Sequence, residues 1–283
     1  MSYRSKLVGV FGYPVDENPS VIMNEAAFKD MNIDWRYITL LVKPQELEQA
    51  FAGLRALNFE GINLTIPHKI SALKYVDEIS QSAKLIGAIN IVVRKNDDIL
   101  FGDNTDGKGF IAGLQEQNIT LQNKAITVLG SGGAARAICI ESALAGCSKI
   151  HIIARTVEKA KEIVKIINEN TTCTATCEKW TDNIDIGKCD ILVNATSIGL
   201  YPDVNLPNIN YDSVDKNTII QDIIPNPPIT KFLEKFLERG NLTINGLSML
   251  VGQGAIGIEL WTGQKPDLAV MKESLISSYN ELR

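Results

Sequence analysis

The chain is short of histidine, with two in 283 residues, and it has no apolar run long enough to span a bilayer. The apolar stretch after Met1–Leu7 is ended by Pro14, too soon for a secretory signal. Lysine and arginine form no block and the net charge is −5, so neither nucleic acid nor an anionic membrane is an expected partner. Cysteine is odd in number, five in all, and its spacings match no zinc pattern. Cys139, Cys147 and Cys189 sit among apolar or small residues and read as core thiols. Cys173 and Cys177 lie four apart in an alternating strand pattern, which separates them by roughly 13 Å, too far for a disulfide or a shared metal. No metal is assigned, and a cytoplasmic protein is expected.

What remains is an ordinary globular composition, 45% apolar and 22% charged. The first hundred residues alternate strand and helix patterns. Strands are expected at Leu7–Phe11, Arg36–Val42 and Gly61–Ile66, with helices at Ser20–Met31 and Pro44–Leu57. This βαβαβ order calls for a mostly parallel sheet. Two further strands are expected at Ile86–Val93 and Ile99–Phe101, joined by the turn Lys95–Asp98. A second α/β series opens at Lys124, with strands at Ala125–Leu129, Lys149–Ile153, Ile191–Ala195 and Thr218–Ile223, and helices at Ala134–Leu144 and Thr156–Ile167. Helices at Met249–Trp261 and Leu268–Asn280 close the chain and are expected to return to the first domain. The fold class is therefore α/β: a mostly parallel substrate domain, 1–103 with 246–283, and a Rossmann-type dinucleotide domain, 104–245.

Two segments, Asn63–Lys69 and Asn104–Gly107, follow apolar runs and read as strand ends opening into loops. In open α/β sheets ligands bind at such ends. A lysine paired with a carboxylate can move a proton to or from a substrate hydroxyl, while amide side chains hold its neighbours. His68, beside Lys69, invites a general-base role; adjacent side chains at a strand end point apart, so His68 is assigned a structural role, as is His151 in a buried-looking strand.

Gly130, Ser131, Gly132, Gly133, Ala134 and Ala135 fit the dinucleotide fingerprint, set between a strand and a helix. The first glycine allows the turn, and the second lets a pyrophosphate approach the backbone at a helix N-terminus. At the end of the next strand an NAD enzyme needs an acid for the ribose 2′-hydroxyl. This chain has Arg155 and Thr156 there, with Lys159 one turn on, a set suited to a 2′-phosphate. NADP is the expected cofactor, with NAD less favoured.

Taken with Gly12–Pro14, Gly87–Asn90, Asn194–Gly199, Gly246–Leu250, Gln253 and Trp261–Gly263, these motifs resemble the shikimate dehydrogenase family, in order along nearly the whole chain. The resemblance implies an oxidoreductase that passes hydride between a ring hydroxyl of a cyclic polyol acid and NADP, reducing 3-dehydroshikimate to shikimate in chorismate and aromatic amino acid biosynthesis. It implies Lys69 and Asp106 as the proton-transfer pair, and Asn18, Ser20, Thr65, Asn90 and Gln253 as substrate-binding residues. Thr196, Ser197, Gly199 and Met249 are implied on the nicotinamide side. A small-molecule substrate and a monomer or homodimer are expected.

The resemblance is broken at two places. The family's entry loop carries two serines, where this chain has Asn18 and Ser20, and a family tyrosine after the later strand is Pro225 here. In the family these groups bind the substrate carboxylate; Asn18 can donate through its amide, Pro225 donates nothing. The departures raise two alternatives: a paralogue acting on quinate, aminoshikimate or another cyclic polyol with little shikimate activity, or a non-catalytic metabolite sensor.

Overall fold

The computed structural model describes residues 4–202 and 204–281. They divide into two compact units, one running up to Thr105 and resuming at Val251, the other beginning at Asp106 and ending at Leu250.

The first unit is built on β1 (Lys6–Gly12), α1 (Ser20–Asp30), β2 (Trp35–Leu41), α2 (Leu47–Ala56), β3 (Gly61–Leu64), α3 (His68–Ser71), β4 (Glu78–Ile79), α4 (Gln81–Ile86), β5 (Ile91–Arg94) and β6 (Leu100–Asp103). Its six strands run β2-β1-β3-β5-β6-β4. β1 pairs in parallel with β2 and β3, and β4 with β6, whereas β5 is antiparallel to both its neighbours. The strand pattern read over Ile86–Val93 is corrected: its first residues close α4, and β5 begins only at Ile91. Ser80 caps α4 by accepting from Ala83 N at 3.1 Å, and Gly87 ends it in the left-handed region at φ 72°. A glycine reaches that conformation without a Cβ clash, so the apolar Ile86 is a helix residue, not a strand one. Phe11, Phe51, Phe59, Ile62, Val92 and Leu100 are buried in the core between sheet and α2.

The second unit contains α5 (Asp106–Gln115), β7 (Ala125–Leu129), α6 (Gly133–Leu144), β8 (Lys149–Ala154), α7 (Val157–Asn170), β9 (Thr174–Lys179), β10 (Ile184–Asp185), β11 (Ile191–Asn194), β12 (Ile209–Asn210), β13 (Ile219–Asp222), α8 (Lys231–Glu238) and β14 (Thr243–Ile244). Its main sheet is parallel throughout, in the order β14-β13-β11-β7-β8-β9. Renumbered within the unit, this is 3-2-1-4-5-6 read backwards, the doubly wound dinucleotide order whose direction reverses between β7 and β11. α8 was not anticipated, although Phe232, Leu233 and Phe236 form a buried apolar stripe at helical spacing.

α9 (Gly246–Thr262) carries the chain out of the second unit, and α10 (Leu268–Glu281) packs on α1 within the first. Trp261 donates its indole N–H to the Val92 carbonyl at 3.0 Å, fastening α9 to β5. Among the described residues no helix is long and apolar enough to cross a membrane, and no cluster of His, Cys, Asp and Glu could hold a metal. All five cysteines are free. Burial raises the Cys139 thiol far above its ordinary range and the Cys147 thiol to about 12, so both are inert core thiols.

Candidate active site

Of the predicted substrate-side residues, Thr65, Lys69 and Asn90 lie at one edge of the first sheet. β3 and β6 are each antiparallel to β5, so their carboxyl ends and the start of β5 share that edge. The register continues past the strands: Leu64 N donates to the Asn90 carbonyl at 2.8 Å, and Asn90 N to the Asp103 carbonyl at 3.0 Å. Thr65 N bonds the Phe11 carbonyl at 3.0 Å and Tyr13 N the Ile66 carbonyl at 3.0 Å, which brings the loop after β1 alongside the loop after β3. Lys69, half-buried in α3, accepts at its carbonyl from Ile89 N at 2.9 Å, beside Asn90.

Asn90 is buried and shares its side chain with Thr105. Thr105 N donates to Asn90 Oδ1 at 2.8 Å, and Asn90 Nδ2 to Thr105 Oγ1 at 3.0 Å. Asn104 is fixed by donating to the Ala88 carbonyl at 3.1 Å. Asn18 is half-buried and accepts from Ser20 N at 2.9 Å, closing a turn into α1. Gln253 is half-buried in α9, one turn before Gly257, whose Cα faces Ile91 at the start of β5. Asp106 follows Thr105 directly and opens α5 in the second unit.

Sequence reasoning missed Tyr37 at this edge and left Asn63, the first residue of the Asn63–Lys69 segment, without a named partner. Tyr37 is buried on β2 and donates its hydroxyl to Asn63 Oδ1 at 2.8 Å; Asn63 Nδ2 donates to the Asn90 carbonyl at 3.2 Å. Partners 26 residues apart leave no local pattern, although a tyrosine on an inward strand position was a usable signal.

His68 is buried and bonds the Val42 carbonyl through Nε2 at 2.7 Å, which ties α3 to the end of β2. His151 is half-exposed rather than buried, a correction: it lies toward β9, bonding Thr176 Oγ1 at 2.8 Å and Glu178 Oε1 at 2.7 Å. A cavity of about 260 Å³ there, lined by Lys149, His151, Glu178 and Lys188 among others, lies at the amino ends of β7 and β8, opposite the glycine turn.

The predicted cofactor residues all fall in the second unit, at the carboxyl ends of β7, β8 and β11 and in α9. Gly130 holds φ +111°, and a Cβ there would stand 2.9 Å from the Ala195 carbonyl and 3.1 Å from Thr196, so the turns after β7 and β11 abut at the switch point. At Gly132 and Gly133 an added Cβ meets no atom within 4 Å. α6 starts at Gly133 with no side chain capping it, and Ala134 and Ala135 follow in its first turn, Ala135 fully buried against the sheet. Its orphan N–H groups thus open onto free space, as a pyrophosphate requires. Ser131 Oγ donates to the Thr156 carbonyl at 3.3 Å, joining the glycine turn to the end of β8. Arg155, Thr156 and Lys159 are exposed there, and no acid ends the strand. The residues present fit a dinucleotide with a 2′-phosphate.

After β11, Asn194 organises the loop that bears Thr196, Ser197 and Gly199. Its Oδ1 accepts from Thr196 Oγ1 at 2.7 Å, and its Nδ2 donates to Asp222 Oδ1 at 3.1 Å. Asp222 also accepts from Thr230 Oγ1 at 2.7 Å and Ile224 N at 3.1 Å; burial pushes its carboxyl up to about 6. Met249 is buried in the first turn of α9, and Pro225 is half-buried after β13.

Three family descriptions match in order: the shikimate dehydrogenase substrate binding domain at residues 10–92, shikimate / quinate 5-dehydrogenase at 113–221, and the shikimate 5'-dehydrogenase C-terminal domain at 246–276. A curated relative from Methanococcus maripaludis, a shikimate dehydrogenase (NADP(+)), is 42% identical over 275 residues, 97% of this chain and 98% of its own. The ligand-free 5-ketofructose reductase of Gluconobacter sp. strain CHM43 superposes with TM-score 0.95 at 42% identity, covering 98% of this chain and 100% of that one. Shikimate 5-dehydrogenase from Listeria monocytogenes, solved with shikimate and NAD, gives 0.92 at 33% identity, covering 97% and 98%.

Proposed function

The chain belongs to the shikimate dehydrogenase family, and from that premise we propose that it is an NADP-dependent shikimate dehydrogenase, interconverting shikimate and 3-dehydroshikimate in chorismate and aromatic amino acid biosynthesis. The observation that carries the reading is the 42% identity, over 97% of the chain, to a relative named for that reaction and that cofactor.

NADP supplies the hydride acceptor or donor when bound. Gly132 and Gly133 leave the room its pyrophosphate needs, the N-terminus of α6 supplies N–H donors, and Arg155 with Thr156 and Lys159 holds the 2′-phosphate. Thr196, Ser197, Gly199 and Met249 line the nicotinamide side. Lys69 Nζ exchanges the proton of the reacting hydroxyl, with Asp106 as the carboxylate of the pair. Asn18, Ser20, Thr65, Asn90 and Gln253 bind the remaining substrate groups. Asn90 is suited to this because Thr105 fixes its amide on two sides before any ligand arrives.

The alternatives raised by Asn18 and Pro225, a quinate- or aminoshikimate-directed paralogue or a sensor, are not favoured beside a full-length match to shikimate dehydrogenase (NADP(+)). A cytoplasmic location and a monomeric or homodimeric state belong to the same reading, and five free cysteines fit a reducing compartment.

Initial rates with NADP and with NAD test it, using shikimate, quinate and, for NADPH oxidation, 5-ketofructose, the substrate in the name of the Gluconobacter neighbour. Turnover greatest with shikimate and NADP is expected. Turnover of 5-ketofructose or quinate with silence on shikimate would refute it.

A further inference from the structure

Tyr37 is only 3% exposed, its ring lies 6.2 Å from that of Trp261, and its hydroxyl is the hub of a polar chain along the substrate edge. The direction of every hydrogen in that chain follows from one fixed point. The Asn90 backbone carbonyl can only accept, so the Asn63 amide turns its NH₂ toward it. Asn63 Oδ1 then faces Tyr37, whose hydroxyl must donate. The Asn90 carbonyl held in this way belongs to the residue whose side chain Thr105 fixes on two sides.

We propose that Tyr37 is a positioning residue: by locking the Asn63 amide against the Asn90 backbone carbonyl, it holds Asn90 in place at the strand edge where the substrate binds. This rests on the reading that the first unit's strand edge binds the substrate. Burial works in the same direction, since it disfavours ionisation of the phenol and keeps Tyr37 a donor.

Tyr37→Phe removes the hub and keeps the ring. With shikimate and NADP, the variant should show a KM for shikimate raised roughly tenfold, the usual effect of one hydrogen bond. Its kcat should stay within about twofold and its KM for NADP should not change. Asn63→Leu breaks the same chain one step on, and serves if Tyr37→Phe does not fold. The double variant should bind shikimate no worse than the weaker single one, because both act through one chain. A wild-type KM for shikimate in Tyr37→Phe, or additive losses in the double variant, overturns the proposal. Wild-type protein that fails to turn over shikimate overturns the functional reading and this inference with it.

Discussion

Gly132→Ala separates a glycine kept for a ligand from one kept for the fold. The backbone at Gly132 has φ −76° and ψ −175°, extended values open to any residue, and a methyl there meets nothing within 4 Å. Within the protein alone the substitution is free of strain, and by restricting the unfolded chain it should stabilise by about 0.4–1 kcal/mol. The open space is the place assigned to the pyrophosphate. A methyl that holds the phosphates off loses at least one charge-assisted hydrogen bond, about 1.5–3 kcal/mol, or roughly a 10- to 150-fold rise in the NADPH Kd. Gly130→Ala is the control: φ +111° and the Ala195 carbonyl 2.9 Å away make it strained, with a cost of about 1–3 kcal/mol. Thermal unfolding of the apoproteins and titration of NADPH by its fluorescence measure both quantities. Gly132→Ala should keep or raise Tm while losing affinity, and Gly130→Ala should lose Tm outright. Unchanged NADPH affinity in a well-folded Gly132→Ala would refute the assignment of that space to the cofactor.

Three further outcomes follow from the geometry. Arg155→Ala should raise the KM for NADP tenfold or more and leave that for NAD nearly unchanged; equal losses with both would show that the guanidinium does not read the 2′-phosphate. The raised Asp222 carboxyl, at about 6, means that ionisation opposes folding: its contribution is fully present below about pH 4 and is lost as pH rises through about 6. Urea unfolding of wild type against Asp222→Asn should therefore shift in favour of wild type by up to about 3 kcal/mol from pH 7 to pH 4, and a pH-independent difference would contradict the buried acid. His68→Ala should destabilise by about 2–3 kcal/mol through its lost packing and its bond to the Val42 carbonyl, yet keep the pH profile of kcat; an abolished kcat in folded protein would make His68 catalytic after all.

Much of this architecture was legible because its signals are local. Ala125–Leu129 followed by Gly130–Ala135 places strand, turn and helix within a dozen residues, and the structure has β7, the turn and α6 there. The two loop segments likewise follow strands, after Leu64 and after Asp103. What stayed hidden depends on distant partners. The Tyr37–Asn63 bond joins two strands, and the Asn194–Asp222 bond spans 28 residues. His151 looked buried among isoleucines, but its position on β8 turns it toward Thr176 and Glu178. The misread start of β5 is different: Ser80 and Gly87 bracket Gln81–Ile86 as cap and stop, and the apolar run outweighed a signal that was present.

Lys69 carries the proposed proton transfer. Wild-type protein and Lys69→Ala should be compared for NADP reduction by shikimate, with NADPH binding measured on both. Shikimate turnover by wild type, a fall in kcat of at least a hundredfold in the variant, and NADPH affinity unchanged between them is the predicted result. Shikimate turnover that survives in Lys69→Ala, or wild type that binds NADPH and leaves shikimate untouched, would contradict it.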